Sequence, residues 1–203
     1  MARTPRNGGT KLMPATTRLE HLEPVHELNR SFLGFLQTRA QVERDCLGLP
    51  AIARQLLRAA DGILLDHVAQ FPRALFQVQC DGGVGAGLVA GSVGERDARY
   101  HELALSILWA ARQTSRQSPY QAQFLFGLGL PQIELLRSLA LPDLERLAAV
   151  SNIVRCAFTG QHWLWHGILT DTRPESRRQL ALVALQPGLA RDWPQRRPAH
   201  PAT

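Results

Sequence analysis

Three groups of residues in this chain could do chemistry: scattered cysteines, a histidine pair and a glycine cluster. Cys156 with one of the seven histidines would make a nucleophile and a base, but no Gly-x-Ser-x-Gly elbow surrounds it. His162 and His166 are spaced to share one helix face, as zinc ligands can be, yet the sequence has no Cys-x-x-Cys pair and no Glu beside His162. The intervening Trp163 and Trp165 favour a packed segment. We therefore expect no metal and no cofactor, with an enzyme as the weaker alternative.

The glycine cluster offers a different chemistry. Residues 85–90 have the form Gly-x-Gly-x-x-Ala and follow the strand-like stretch Leu75–Val78. Such glycines let a helix N-terminus approach a pyrophosphate, but they do so at the edge of a parallel sheet. No series of further strands is visible, so the sequence favours a flexible linker over a nucleotide site.

The basic charge is concentrated at the two ends. The chain has 203 residues and a net charge of +6, of which residues 1–18 carry +4, residues 170–203 carry +3 and the middle carries −1. A basic end is more often a solvated tail than a DNA-binding arm. Charge alone therefore does not make this a DNA-binding protein.

Three short segments recur in the same order along the chain, at offsets of 75, 81 and 79 positions. They are His26-Glu27-Leu28 with His101-Glu102-Leu103, Leu47-Gly48-Leu49-Pro50 with Leu128-Gly129-Leu130-Pro131, and Leu56-Leu57-Arg58 with Leu135-Leu136-Arg137. A repeated order with small gaps predicts two copies of one structural unit.

Both copies have helical periodicity. Apolar residues recur at the helical period, as Leu28, Phe32, Phe35, Leu36 and Val42 in the first copy and Leu103, Ile107, Leu108 and Ala111 in the second. A second helix is predicted at Pro50–Ala60 and Pro131–Ala140, and a third around Leu65 to Phe71 and Leu144 to Val150. Pro72 should end the third helix of the first copy. The fold class is therefore all-α, with two tandem helical units; Leu180–Leu185 is either a strand or a helical turn.

The end of the second copy could form a helix-turn-helix. Gln132–Leu139 and Asp143–Ser151 are separated by a short turn, and the second helix of such a motif enters the DNA major groove. Arg137, Arg146 and Arg155 are candidate phosphate contacts, and Asn152 is a further candidate for DNA binding. Asp143 and Glu145 would face an anionic polymer, so a helical hairpin that only packs is an equal alternative.

The second copy resembles the D-subunit family of the flagellar master transcription activator over about residues 98–160. The resemblance rests on Leu103–Leu108, on Phe126-Gly127-Leu128-Gly129-Leu130, and on Leu139-Ala140-Leu141-Pro142 followed by Leu147-Ala148, Asn152, Cys156 and Phe158. The match needs one extra residue near Val150. The order of the pieces is more specific than any one of them.

The resemblance implies a fold and a role. In that family the helical subunit dimerises, a signature cysteine can link two chains, and the dimer assembles with a zinc-containing C subunit on the promoter DNA of flagellar genes. Cys156 is then the candidate interchain disulfide. A free buried cysteine is the alternative, because the three scattered cysteines suit a reducing cytosol.

This chain departs from the family in length, since family members have one unit and about half as many residues. We expect a basic tail at 1–18, units at 19–80 and 98–169, a glycine-rich linker at 81–97 and an Arg/Pro-rich tail at 170–203. Our hypothesis is that the units pair as a pseudo-dimer, so that the chain is a monomer; a homodimer is the alternative.

Overall, the sequence predicts a cytoplasmic regulator of motility genes that acts with a C-type partner subunit on promoter DNA. The alternative function is a helical interaction module that binds or sequesters a regulator without touching DNA. No apolar run approaches the roughly 18 residues of a membrane helix, so we expect no membrane contact.

Overall fold

The computed structural model of the protein describes residues 22–42, 44–80, 97–150, 152–171 and 173–184. Over these ranges the chain is mainly helical, with one short two-stranded sheet, so the predicted helical character is confirmed. The basic N-terminal tail, the glycine cluster at 85–90 and the end of the chain from 185 lie outside the described residues.

The elements follow a similar order in the two halves of the chain. The first half contains helices α1 (Glu23–Gln41), α2 (Ala51–Ala59) and α3 (Gly62–Ala69), followed by strand β1 (Phe76–Val78). The second half contains α4 (Ala98–Gln117), α5 (Pro119–Phe126), α6 (Leu130–Ser138) and α7 (Leu141–Ala148), followed by strand β2 (Val154–Cys156). Helices α8 (His162–Thr170) and α9 (Pro174–Ala184) complete the described chain.

Short polar side chains and prolines set where these helices begin. The Asp61 carboxylate accepts the Leu64 backbone N–H at 2.7 Å, and Asp97 accepts the Tyr100 N–H at 3.3 Å. Both are N-caps, which satisfy backbone donors that the first turn leaves free. Helix α3 ends at Ala69, ahead of Pro72 as predicted.

One core residue was predicted wrongly. Val42 continues the apolar periodicity of α1, but the helix ends at Gln41 and Val42 is 59% exposed. The remaining periodic residues of α1 and α4 are buried or pack against the core.

Three helices, α5, α8 and α9, were not assigned from the sequence. Helix α5 buries Ala122, Leu125 and Phe126 but leaves Tyr120 and Phe124 exposed, so its apolar residues do not mark a single face. Helix α9 lies in the segment 170–203 that was assigned to the C-terminal tail. Since it extends to Ala184, the described part of Leu180–Leu185 is helix and not strand.

One hydrophobic core draws side chains from both halves. Helix α1 packs against α2, α3 and α4, while α4 also packs against α5, α6 and α7. The rings of Phe32 and Phe76 are 5.5 Å apart, and those of Phe76 and Phe126 are 6.1 Å apart, so aromatic contacts link α1 to β1 and β1 to α5. Among the helices described, none combines the length and apolar character needed to cross a bilayer.

Candidate interaction surfaces

The sheet joins the two halves of the chain. Strands β1 and β2 are antiparallel, with Phe76 opposite Cys156, Gln77 opposite Arg155 and Val78 opposite Val154. Backbone hydrogen bonds extend the pairing at both ends: the Gln79 N–H donates to the Ile153 carbonyl at 2.8 Å, and the Ala157 N–H donates to the Leu75 carbonyl at 2.9 Å.

Helices α1 and α4 form a second contact between the halves. The Arg39 guanidinium donates to the Asp97 carboxylate at 3.1 Å, and the rings of Phe35 and Tyr100 are 6.0 Å apart. The C-terminal half of α1 therefore lies beside the N-terminus of α4. An open groove of about 630 Å³ follows this junction.

Tyr100 connects α4 to β2. Its hydroxyl accepts the Val154 N–H at 3.0 Å and lies 3.5 Å from the Val154 carbonyl oxygen. Burial raises the pKa of the Tyr100 hydroxyl above its ordinary value, which itself lies well above neutral pH, so the hydroxyl is protonated and able to donate. This contact fixes the outer edge of β2 where an amide would otherwise lack a partner.

Asn29 fixes the chain that leads into β1. This side chain is fully buried in α1, and its amide nitrogen lies 3.0–3.3 Å from the carbonyl oxygens of Ala69, Phe71 and Arg73. Its Oδ1 accepts the Leu75 N–H at 2.9 Å. This role was not predicted from the sequence, although a single amide on the apolar face of a predicted helix indicates a buried hydrogen-bonding residue.

The four residues predicted to contact DNA are all exposed, but they do not form one cluster of contacts. Arg137 lies in the last turn of α6, Arg146 in α7, Asn152 before β2, and Arg155 in the middle of β2. In the described part of the chain, no hydrogen bond or ion pair connects any two of them.

The predicted helix-turn-helix segment consists of α6 and α7, joined through Leu139 and Ala140, and both helices pack against α4. On α7, Arg146 lies 3.7 Å from the Asp143 carboxylate, and Glu145 is exposed. The exposed face of α7 therefore presents two acids and one partly neutralised arginine, a poor complement to phosphate.

Cys156 lies inside the protein. Its thiol donates to the Cys46 carbonyl at 3.3 Å, and its backbone N–H donates to the Leu47 carbonyl at 2.9 Å. Burial raises the pKa of the Cys156 thiol well above its ordinary value. The three cysteines are not in disulfides and all are buried. In this fold the sulfur of Cys156 is out of reach of a second chain, which favours the free buried thiol.

The histidine pair belongs to a packed helix. His162 and His166 are exposed on α8, which packs against α2. Between them, Trp165 is fully buried, and its indole N–H donates to the Ala157 carbonyl at 2.8 Å. Within the described ranges, no three His, Cys, Asp or Glu side chains come together as metal ligands.

Comparisons with known proteins add no relative. No protein-family model matches the chain, and neither curated proteins nor solved structures give a match.

Proposed function

We propose that this protein is a transcriptional regulator of the flagellar-activator D-subunit type, in which two D-like units pair within one chain and act with a partner subunit on promoter DNA. The observation that carries the proposal is that counterpart elements of the two halves contact each other. Two such contacts support it, one between strands and one between helices.

The strand contact has the separation that the repeat predicts. Partners in the β1–β2 sheet are 80, 78 and 76 positions apart, and the repeated sequence segments are 75, 81 and 79 positions apart. Each strand therefore pairs antiparallel with its own counterpart. A two-fold interface between identical subunits is isologous, so that residue i meets j and j meets i.

The helix contact agrees with the same symmetry. Helices α1 and α4 begin the two units and lie against each other in opposite directions. Ser31 and Ser106 are counterparts at an offset of 75, and both line the groove at this junction. Equivalent residues that come close together are expected near a two-fold axis.

Pairing within one chain gives a reason for the length of the protein. The surface that a single-unit member would use to dimerise is already covered here by the other half. Cys156, which aligns with the family's linking cysteine, faces Phe76 and the Cys46 carbonyl instead of a second chain. The proposal therefore excludes an interchain disulfide at this position.

The interaction module without DNA contact is the second candidate. Its support is that Arg146 is paired with Asp143, whereas Tyr120 and Phe124 expose aromatic surface on α5. Exposed aromatic residues are enriched where proteins bind proteins.

A pull-down of the tagged full chain from its source bacterium, with and without nuclease, distinguishes the transcriptional regulator from the interaction module. The regulator proposal predicts recovery of a zinc-bearing C-type subunit, together with DNA that nuclease removes. Recovery of another regulator, unchanged by nuclease, supports the interaction module and contradicts the regulator.

Salt dependence gives a sharper test on the recovered complex. If Arg137 and Arg155 contact phosphates, changing both to Ala lowers the slope of log affinity against log salt by about 2. Arg30→Ala is the matched control, because Arg30 is also exposed but is paired with Asp66. An unchanged slope in the double variant would remove these two arginines from the DNA interface.

A further inference from the structure

A second groove, of about 800 Å³, lies between the approach to β1, helix α5 and the loop after β2. Its walls combine aromatic rings, among them Phe76, Phe126 and Phe158, with the polar side chains of Gln77, Gln123 and Thr159. At its rim Tyr120 and Phe124 are 83% and 47% exposed, a large apolar surface for a helix of eight residues. We call this the Arg73 groove, after the one cation among the described residues that line it.

Arg73 is the charged group of the groove. Its guanidinium lies 5.5 Å from the centre of the Phe158 ring and donates through Nη1 to the Ala184 carbonyl at 3.0 Å. Burial lowers the pKa of Arg73. Among the described residues, no carboxylate contacts Arg73 and no acidic side chain lines the groove. A partly buried cation without a counter-ion is unfavourable, so an incoming anion would gain a strong interaction.

The position of Arg73 is fixed by its surroundings. Asn29 donates to the Arg73 carbonyl at 3.0 Å, and the next amide, Ala74 N–H, donates to the Leu125 carbonyl at 2.8 Å. Gly127 adopts φ of 67°, and the guanidinium lies against it where any larger residue would collide with Nη2. A side chain placed in advance loses little conformational entropy when a ligand binds.

Gln161 supplies an acceptor in the same groove. Its Oε1 is buried and has no hydrogen-bond partner among the described residues. Buried polar atoms are normally paired, so an unpaired acceptor in a groove is suited to a ligand N–H. The groove therefore offers a cationic donor, an acceptor and aromatic surface together.

We propose that the Arg73 groove binds an extended acidic and apolar segment of a partner protein. A carboxylate of the segment pairs with Arg73, a backbone N–H donates to Gln161 Oε1, and an apolar side chain covers Tyr120 and Phe124. The groove at the α1–α4 junction is different, because its lining includes the carboxylates of Asp97 and Glu102, and Asp97 is paired with Arg39. The proposal needs neither DNA binding nor the resemblance to the D-subunit family.

The probe is a fluorescein-labelled, C-amidated decapeptide of alternating Glu and Leu, compared with the same peptide carrying Gln in place of Glu. Binding to the full chain is followed by fluorescence anisotropy at low salt. We expect the Glu peptide to bind at least 10-fold tighter than the Gln peptide, and Arg73→Gln to remove that difference. Equal affinity of the two peptides, or an unchanged preference in Arg73→Gln, overturns the proposal.

A surface variant covers the case in which Arg73→Gln does not fold. Tyr120→Ser changes a side chain that is mostly exposed, so it should leave the far-ultraviolet circular dichroism unchanged and weaken the Glu peptide several-fold. Full affinity in folded Tyr120→Ser contradicts the proposed site.

Two further measurements decide between occupants. Competition by a ten-nucleotide oligo(dT) as strong as that by unlabelled Glu peptide would assign the groove to nucleic acid and overturn the proposal. Asp192→Asn in the full chain tests whether the protein's own sequence supplies the acid. We expect unchanged peptide affinity, and an increase would make the chain itself the occupant.

Discussion

A single buried polar residue, Asn29, fixes how the first half of the chain folds onto itself. Asn29 makes hydrogen bonds to three carbonyls and one N–H of the segment before β1, and all its partners lie at least 40 positions away. Its counterpart at an offset of 75 is Ala104, which is buried and apolar. This polar anchor therefore distinguishes the first half from the second.

Replacing Asn29 by Ala leaves buried backbone groups without partners. We expect a loss of about 3 kcal/mol in the free energy of unfolding, since each unsatisfied buried group costs about 1–3 kcal/mol. Urea denaturation followed by circular dichroism measures it. Gln70→Ala is the control, because Gln70 is exposed in the same segment, and it should change stability by less than about 0.5 kcal/mol. Equal effects of the two variants would contradict the role of Asn29.

The Cys156 thiol gives a prediction of pH dependence. Its pKa is raised on folding, so its contribution to stability is complete below the unfolded thiol pKa of about 8.5 and is lost as pH rises toward the folded pKa. Above about pH 8.5 the wild type should lose stability more steeply than Cys156→Ala, by at most about 1.4 kcal/mol per pH unit. Urea denaturation between pH 7 and 10 compares them. Parallel pH profiles would show that Cys156 does not titrate on unfolding.

Accessibility of the thiols is a separate prediction. Because Cys46, Cys80 and Cys156 are all buried, we expect the native protein to react slowly with a disulfide reagent such as dithionitrobenzoate, and all three to react at once in guanidinium. If non-reducing gels showed a dimer that Cys156→Ser abolished, this prediction would be wrong and Cys156 would form an interchain disulfide.

The apolar periodicity of the sequence predicted many individual core residues, including Phe32, Leu36, Leu103 and Ile107. It could not predict the roles of Tyr100 or Arg73. The partners of these residues, Val154 and Ala184, are 54 and 111 positions away, and nothing local in the sequence indicates such contacts.

The beginning of α4 is bonded both to α1 and to the sheet. Asp97 caps α4 and pairs with Arg39 of α1, and one turn later Tyr100 bonds to β2. The beginning of α4 thus contacts both elements that join the halves. The sequence repeat predicted the position of α4, but it did not predict the contacts of α4 with α1 and β2.

Removing the Tyr100 hydroxyl leaves the Val154 N–H without its partner. We expect Tyr100→Phe to lower the free energy of unfolding by about 1–2 kcal/mol. Tyr120→Phe is the matched control, because it removes the same atom from an exposed ring and should cost less than about 0.5 kcal/mol. Chemical denaturation measures both. A Tyr100→Phe variant as stable as the control would mean that water replaces the contact.

Proline positions and apolar periodicity located α2, α3, α6 and α7 to within a few residues, because each of these helices has a clear beginning and a buried face. Helix α5 escaped prediction for the opposite reason. It exposes Tyr120 and Phe124, so its apolar residues surround the helix instead of marking one side. These two exposed aromatic residues lie at the rim of the Arg73 groove, which we propose binds a partner protein.

At the scale of the whole molecule, a single hydrophobic core spans both halves. Strands β1 and β2 pair with each other, helices α1 and α4 pack together, and α8 of the second half packs on α2 of the first half. We expect the halves to unfold together in one transition, because neither can lose its structure without exposing the core of the other.

An engineered cross-link tests most directly whether the two units pair within one chain, as we propose. The Val154 N–H bonds to Tyr100, so Val78 and Val154 form a non-hydrogen-bonded antiparallel pair, whose Cα atoms lie about 4.5 Å apart and suit a disulfide. Val78→Cys with Val154→Cys, oxidised under native conditions and compared with each single variant, should give a disulfide inside a single chain. The product should have the mass of one chain in light scattering and run faster on a non-reducing gel. A cross-linked species of two chains would show instead that the strands pair between molecules, and the intramolecular pseudo-dimer would be wrong.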